Sequence, residues 1–291
     1  MAGVYNVPNA FRVGDEWVRE FEIDEASGEE EDIIQDTTKH PTKKGYLAKR
    51  YSTRTSEILS RCTTRIGGMT RPAGKTRWDL PNFFKDVWDQ AFMQDRIYGL
   101  LALRMVTHGT IYTWEMTCPN EACNEPLKPS VDLSTLAIRS PDMAVFAEMD
   151  RQKGCLISKL PSGLEVGWRF FRGIADEDAL EELARDPDHS RRYTNALVIR
   201  TMTLNGVKIG SPEEVRRMSS VDRRAWVGDI DEIEGEVDMI LETMCPHCQA
   251  NTVKHLNPYG DKGFFFPKTK TQRSIRSTPS SSTPASGTAA S

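Results

Sequence analysis

The sequence lacks the apolar runs and leader patterns that direct a chain into or across a membrane. No stretch of it approaches the roughly 20 consecutive apolar residues of a transmembrane helix. Its start, Met1-Ala-Gly-Val-Tyr-Asn-Val-Pro, has neither the basic residues nor the apolar centre of a signal peptide. The net charge is only −4, from 38 basic and 42 acidic residues, so the whole chain has little attraction for nucleic acid or acidic lipid. We therefore expect a soluble protein made in a reducing cytoplasm.

Catalytic motifs are also missing. The sequence contains no Gly-x-Gly-x-x-Gly after a predicted strand, no Gly-x-x-x-x-Gly-Lys-Ser/Thr, no Gly-x-Ser-x-Gly and no His-Glu-x-x-His. Its five histidines form no recognisable triad. Asp176 and the carboxylates that follow it lie at the predicted start of a helix, where the helix dipole and solvation account for them. We expect a protein that is not an enzyme.

Six cysteines are too few for a disulfide scaffold in a chain of this length, and four of them form two close pairs. Cys118 and Cys123 enclose Pro-Asn-Glu-Ala, and Cys245 and Cys248 enclose Pro-His. Thiolates at such spacings suit Zn²⁺, and neither pair alone completes a tetrahedron. The favoured interpretation is one four-cysteine zinc site. The alternatives are two separate incomplete sites, or cysteines that bind no metal.

Such a site predicts a structural role for the metal. Four sulfur ligands leave no coordination position for water or substrate, so a hydrolytic centre is disfavoured. His247 lies inside its knuckle and is expected to point to solvent, and His255 is the alternative ligand if one cysteine does not bind.

The predicted fold class is α+β, with helices and short antiparallel hairpins around a zinc-ribbon-like site. We divide the chain into a mostly irregular N-terminal arm (1–54), a zinc-stapled domain (55–267) with an inserted segment (124–244), and a disordered tail (268–291). The tail is predicted from its Ser-, Thr-, Pro-, Lys- and Arg-rich composition.

Local patterns predict individual elements within this frame. Residues 196–204 fit a strand and a helix equally well. The other predictions are a helix over 55–66, two helices over 81–108, a strand over 111–117, a hairpin over 155–174, a tight turn at Asn205-Gly206, a capping box at Ser211-Pro212-Glu213-Glu214, a helix over 221–230 capped by Ser220, and an extended segment over 237–243.

Two further segments have two interpretations each. Residues 39–77 hold eleven basic residues and one acidic residue, Glu57. This segment could bind the phosphate backbone of a nucleic acid or an acidic protein neighbour, and the second is favoured because its aromatics are few. Phe264, Phe265 and Phe266 precede Pro267 and either seal the core or act as an anchor that docks into a neighbouring subunit.

Taken together, these landmarks resemble the baseplate proteins of contractile-tailed, T-even-like bacteriophages, a family of hub and hub assembly proteins. The match extends from about Val18 to Pro267. The matching features are Val18-Arg-Glu, Gly28-Glu-Glu-Glu-Asp32, the helix before Cys118, the first cysteine knuckle, Leu160-Pro-Ser-Gly-Leu-Glu-Val166, Phe171-Arg-Gly-Ile-Ala-Asp-Glu177, Asn205-Gly206, Cys245-Pro-His-Cys248 and Phe264-Phe-Phe-Pro267.

The resemblance implies a non-enzymatic component or assembly factor of a tail baseplate, located in the virion after synthesis in the host cytoplasm. Its implied partners are other baseplate or tail proteins, in a homo-oligomer or another symmetric assembly. The competing hypothesis is a nucleic-acid-binding zinc-ribbon protein that uses residues 39–77.

Overall fold

A computed structural model describes residues 2–39, 47–173, 175–176, 179, 192–209, 211–258 and 262–265. The strands are β1 (Gly3–Val13), β2 (Glu16–Ile23), β3 (Thr63–Ile66), β4 (Met69–Thr70), β5 (Ile111–Thr113), β6 (Met116–Thr117), β7 (Pro126–Leu127), β8 (Ser130–Asp132), β9 (Ile138–Arg139), β10 (Leu156–Lys159), β11 (Glu165–Trp168), β12 (Thr201–Leu204), β13 (Val207–Lys208), β14 (Glu236–Val237), β15 (Ile240–Met244) and β16 (Asn251–His255). The helices are α1 (Gly28–Lys39), α2 (Leu47–Cys62), α3 (Lys85–Gln90), α4 (Met93–His108), α5 (Ala144–Arg151), α6 (Arg192–Arg200), α7 (Pro212–Arg216), α8 (Ser220–Ile233) and α9 (Lys262–Phe265). This mixture confirms the α+β class. None of the helices in these described ranges is long and apolar enough to cross a bilayer.

The first core forms between an antiparallel sheet, in the order β1-β2-β3-β4, and helices α2, α3 and α4. Trp88 is fully buried at its centre, where the rings of Phe11 and Phe21 meet it edge-on at 4.8 and 5.6 Å between centroids. Residues from β5, β14, β15 and α9 complete this core. It therefore combines buried residues between positions 7 and 133 with others between positions 237 and 265.

The N-terminal arm is not mostly irregular, and this prediction was wrong. Strands β1 and β2 form a long hairpin whose register shifts between Asn6 and Phe11. Residues 7–11 are all buried, so the alternation of apolar and polar residues that marks a strand is absent there. The segment includes Pro8, which cannot donate to a ladder and is tolerated at a bulge. The bulge therefore explains why the sequence pattern predicted irregular structure.

The second core is built around a separate sheet, in the order β10-β11-β12-β13, with helices α5, α6, α7 and α8. Trp168, Phe146, Phe170 and Trp226 are fully buried within it. Apart from Ala10 and Phe92, its buried members all come from residues 146–230.

The inserted segment is shorter than the predicted 124–244, because residues near both of its ends pack outside the second core. Leu127 packs with the cysteines, and Leu133, Val237 and Leu241 pack in the first core. The two-stranded pairing of β9 with β14 closes the base of the insertion, which spans about 144–233 as a packing unit.

The two cores meet at a buried polar junction. Asn9 donates its backbone N–H and its side-chain Nδ2–H to Asp95 Oδ1, at 2.7 and 3.2 Å. Its side chain also pairs with the Gly235 backbone, accepting from the N–H at 2.7 Å and donating to the carbonyl at 3.2 Å. A Cβ at Gly235 would lie 2.8 Å from the Pro8 backbone, so only glycine fits this approach. Next to it, the buried Glu234 forms an ion pair with Arg200 at 2.6 Å.

Many local predictions are confirmed. Two helices, α3 and α4, occupy the 81–108 region, and the hairpin of β10 and β11 occupies 155–174. Asn205 and Gly206 both have positive φ, 49° and 75°, as the predicted turn requires. The capping box at Ser211 is present in full. The 196–204 segment divides between the end of α6 and β12, which accounts for its mixed pattern.

Other predictions shift by a few residues. The 55–66 helix begins earlier, as α2, and its last four residues form β3 instead. Strand 111–117 is two short strands, β5 and β6, and Ser219 instead of Ser220 caps α8. Asp176 accepts two hydrogen bonds from the Arg169 guanidinium and is not merely solvated.

The phenylalanine segment contributes to the first core. Phe264 is fully buried against Tyr112, and Phe265 is 6% exposed. These two rings occupy the core-sealing position, so neither is exposed as an anchor for a neighbouring subunit. Phe266 and the predicted tail, 268–291, lie outside the described residues.

Candidate metal centre

The four paired cysteines lie at the tips of two hairpins. β6 leads to Cys118 and β7 begins shortly after Cys123, whereas β15 leads to Cys245 and β16 follows Cys248. A backbone hydrogen bond closes each loop: Cys118 N–H donates to Glu125 O at 2.9 Å, and Cys245 N–H donates to Ala250 O at 2.9 Å. A strand leads into each pair, as predicted.

Backbone amides of the two loops face the sulfur atoms in matching positions. Cys118 and Cys123 accept from the amides of Asn120 and Glu125, each two residues further along the chain. In the second loop Cys245 and Cys248 accept from the amides of His247 and Ala250, at the same offset, and Cys245 also accepts from Cys248. Such amide donors stabilise thiolates.

The loops match in backbone conformation as well. Asn124 and Gln249, each directly after the second cysteine of its pair, have φ of 47° and 60°. This left-handed conformation is uncommon outside glycine and turns the chain back along its hairpin. The longer first loop therefore forms a knuckle equivalent to the shorter second one.

The thiols converge on one point. All four Sγ atoms lie within 4.8 Å of one another. The Sγ atoms of Cys118 and Cys248 are 3.6 Å apart, and those of Cys123 and Cys245 are 3.9 Å apart. A zinc tetrahedron with Zn–S bonds of about 2.3 Å has S···S edges of roughly 3.8 Å. Disulfides need about 2.05 Å, and all four cysteines are free.

The surroundings divide the site into a buried side and an accessible side. The first cysteine of each pair is buried, and the second is half-buried. Leu127, Met116 and Ala250 pack around the sulfurs, and Met116 also contacts the first core. The site therefore extends the first core and remains open enough for a metal to enter.

The thiols have unequal proton affinities. Loss of hydration raises the pKa of Cys118 to about 12, whereas the Ala250 amide lowers the pKa of Cys248 to about 7. Four thiolates at these distances repel one another unless a cation lies between them. A metal that binds there would therefore displace protons from the cluster.

The histidines considered as ligands are outside this group. His247 and His255 are both exposed, and the cluster within the described residues consists of the four cysteines. The donor set is thus four sulfurs, which suits Zn²⁺ over the oxygen-preferring divalent cations.

In comparisons with known proteins, no family model, no curated protein and no solved structure matches this chain.

Proposed function

We propose that this chain is a non-enzymatic component or assembly factor of a bacteriophage tail baseplate, with a fold held by a structural zinc ion. The observation that carries the structural role is the convergence of Cys118, Cys123, Cys245 and Cys248 on one tetrahedron-sized space. When bound there, zinc would supply four strong bonds between distant parts of the chain. With every ligand a protein sulfur, no position remains for a reacting water or substrate.

The placement in a baseplate rests on the sequence landmarks given above. The metal centre is compatible with that role because it fixes surfaces without contributing chemistry. In an assembly protein, affinity would come from buried interface area and a few apolar or arginine contacts.

The contacts of the basic segment favour this proposal over nucleic-acid binding. Arg65 forms ion pairs with Glu20 and Glu22, at 2.6 and 3.4 Å. Arg61 similarly pairs with Glu57 at 3.3 Å and with Glu29 at 3.4 Å.

Other arginines of the segment bind backbone carbonyls. Arg71 donates to Ser60 O and Thr63 O at 2.7 and 2.6 Å, and Arg77 donates to Glu25 O at 2.8 Å. These described side chains hold their own fold together, which leaves fewer of their N–H donors free to bind phosphates.

The metal is tested first. Native mass spectrometry should find a single zinc ion per chain, and cobalt substitution should give the absorption of a tetrahedral four-thiolate site. A metal-free parent protein of unchanged stability would contradict the structural role.

The assembly role is tested separately, by mass spectrometry of purified phage particles and of their baseplate intermediates. Stoichiometric presence in particles identifies a component, and presence only in intermediates identifies an assembly factor. Absence from both contradicts the proposal. If the chain is found in neither particles nor intermediates but binds DNA or RNA in a salt-sensitive way, the competing hypothesis is favoured.

A further inference from the structure

A cavity of about 210 Å³ lies on the first core, and none of its lining residues is a cysteine. Its walls come from β1, α4, β9, β14 and the turn after β8, and most of its lining is apolar, with Leu101, Met105, Leu133 and Val237 among its members. Apolar cavities of about 150 Å³ already bind benzene, so this one has room for a single substituted ring.

The cavity is reachable from solvent. Ile138, at its rim, is 43% exposed, and Ser134 is also exposed. Leu136 lies between them and is half-buried. A group could therefore enter past these three residues without opening the core.

Four of the residues that line the cavity have a side-chain hydroxyl group, and two of these hydroxyls bind Asp132. Ser134 Oγ donates to Asp132 Oδ1 at 2.7 Å, and the Thr110 hydroxyl also binds the Asp132 carboxylate. These hydrogen bonds lower the pKa of Asp132 and keep the carboxylate ionised.

The other two hydroxyls belong to Tyr5 and Tyr98, and neither forms a hydrogen bond with another residue in the described part of the chain. Tyr98 is 8% exposed and Tyr5 is half-buried, so both phenols have lost much of their hydration. Burial raises the pKa of each phenol, and both therefore stay protonated at neutral pH. Neither phenol oxygen is among the fully buried unpaired atoms of the described residues, so each still contacts solvent, and a ligand that displaces that solvent can bind it.

We propose that this cavity is a binding site for one compact aromatic ring that carries a hydroxyl group, with the ring in the apolar pocket and its hydroxyl on Tyr5 or Tyr98. The two tyrosine rings stand edge to face, with centroids 6.3 Å apart, and offer both face and edge to an incoming ring. Met105 adds a polarisable thioether, which pairs favourably with aromatic edges.

A para-substituted phenol can come from two sources: a tyrosine side chain of a partner protein, or a free phenolic molecule. Both present the same ring and hydroxyl, and the binding chemistry is the same for either. The site is independent of the metal and of the proposed baseplate role.

The test uses the metal-loaded full chain and follows backbone amide NMR shifts during titration. The probes are p-cresol, which mimics the tyrosine side chain, toluene, which lacks its hydroxyl, and N-acetyltyrosinamide. We expect saturable shifts around Leu101 and Leu133 with p-cresol, and binding of toluene about 3- to 10-fold weaker, as the loss of one hydrogen bond predicts. Binding of N-acetyltyrosinamide assigns the site to a partner's side chain, whereas its failure beside p-cresol binding assigns it to free phenols.

Substitutions distinguish the contribution of the tyrosine hydroxyls to binding from that of the apolar cavity. Combined Tyr5→Phe and Tyr98→Phe should weaken p-cresol about 3- to 10-fold and leave toluene unchanged. Leu136→Trp should fill the mouth and abolish binding of both probes, while the exposed neighbouring change Thr135→Trp should have no effect. No saturable shift with p-cresol, or equal affinity for toluene and p-cresol in the parent protein, overturns the proposal.

Discussion

The two hydrophobic cores draw on the chain in different ways. The first combines residues 7–133 with residues 237–265, and the second comes almost wholly from residues 146–230. Closing a long loop costs conformational entropy, so a core made of distant segments needs contacts that hold its ends together. The cysteine centre lies where those segments converge, and the second core has no such centre among its described residues. The candidate metal site thus lies where distant segments of the chain must be held together.

The largest expected effect follows from removing a sulfur ligand. Cys245→Ser should release zinc and destabilise the protein by more than about 5 kcal/mol, because binding and folding are coupled in structural sites. Amide hydrogen exchange should show protection lost first around the first core and retained longer in residues 146–230.

The matched control is Cys155→Ser, which alters a half-buried free cysteine outside the cluster. It should leave the zinc content and the melting temperature nearly unchanged. Equal loss of protection in both cores after Cys245→Ser would show that the two regions unfold as one unit, against the contrast drawn above.

The second expected effect is a pH dependence at the junction of the cores. Burial raises the pKa of Asp95 to about 7, while its Asn9 hydrogen bonds oppose the shift and the nearby Glu234 increases it. Because the folded protein binds this proton more tightly than the unfolded chain, its contribution to stability is complete below about pH 4. That contribution is lost as the pH rises to 7, by up to about 4 kcal/mol.

Loss of zinc at low pH would lower the stability, which is the opposite trend to that of Asp95. The quantity to measure is therefore the difference in unfolding free energy between two proteins at each pH. Denaturant unfolding of the parent and of Asp95→Asn, both metal-loaded, should show a stability difference that changes between pH 4.5 and 7. Parallel pH profiles for the two proteins would contradict the assignment.

The third effect tests the same junction by removing its central side chain. Asn9→Ala leaves the Gly235 N–H without its acceptor and Asp95 Oδ1 without one donor, at a cost of about 2–3 kcal/mol. The exposed Asn6→Ala is a suitable control in the same strand. A loss no larger than that of the control would mean that Asn9 does not couple the cores.

The smallest effect lies in the second core's sheet. Gly206 has φ of +75° in the β12–β13 turn, so Gly206→Ala should cost about 1 kcal/mol through backbone strain. Thermal unfolding measures it, and zinc content should not change. Loss of zinc would reveal coupling between the insertion and the metal centre.

How well a structural feature can be predicted depends on how far apart in the sequence its determining residues lie. Cysteine knuckles, the Asn205-Gly206 turn and the Ser211 capping box depend on neighbouring residues, and the sequence predicts each of them. The junction does not follow from local patterns, because Asn9 lies 86 residues from Asp95 and 226 residues from Gly235. Strand β1 was not predicted for a related reason. Its bulged segment is continuously buried because residues of that segment pack into both cores, so the alternating pattern of a strand is lost.

The proximity of the two cysteine pairs, at residues 118–123 and 245–248, has a mechanical consequence. With a metal in place, tension applied to the two ends of the protein passes through the sulfur centre and bypasses residues 124–244. Those residues would add up to about 400 Å of contour if extended. In a pulling experiment we expect this length to be released only when the metal centre ruptures, so the residues between the cysteine pairs, the insertion among them, carry no load while the rest of the chain is under tension.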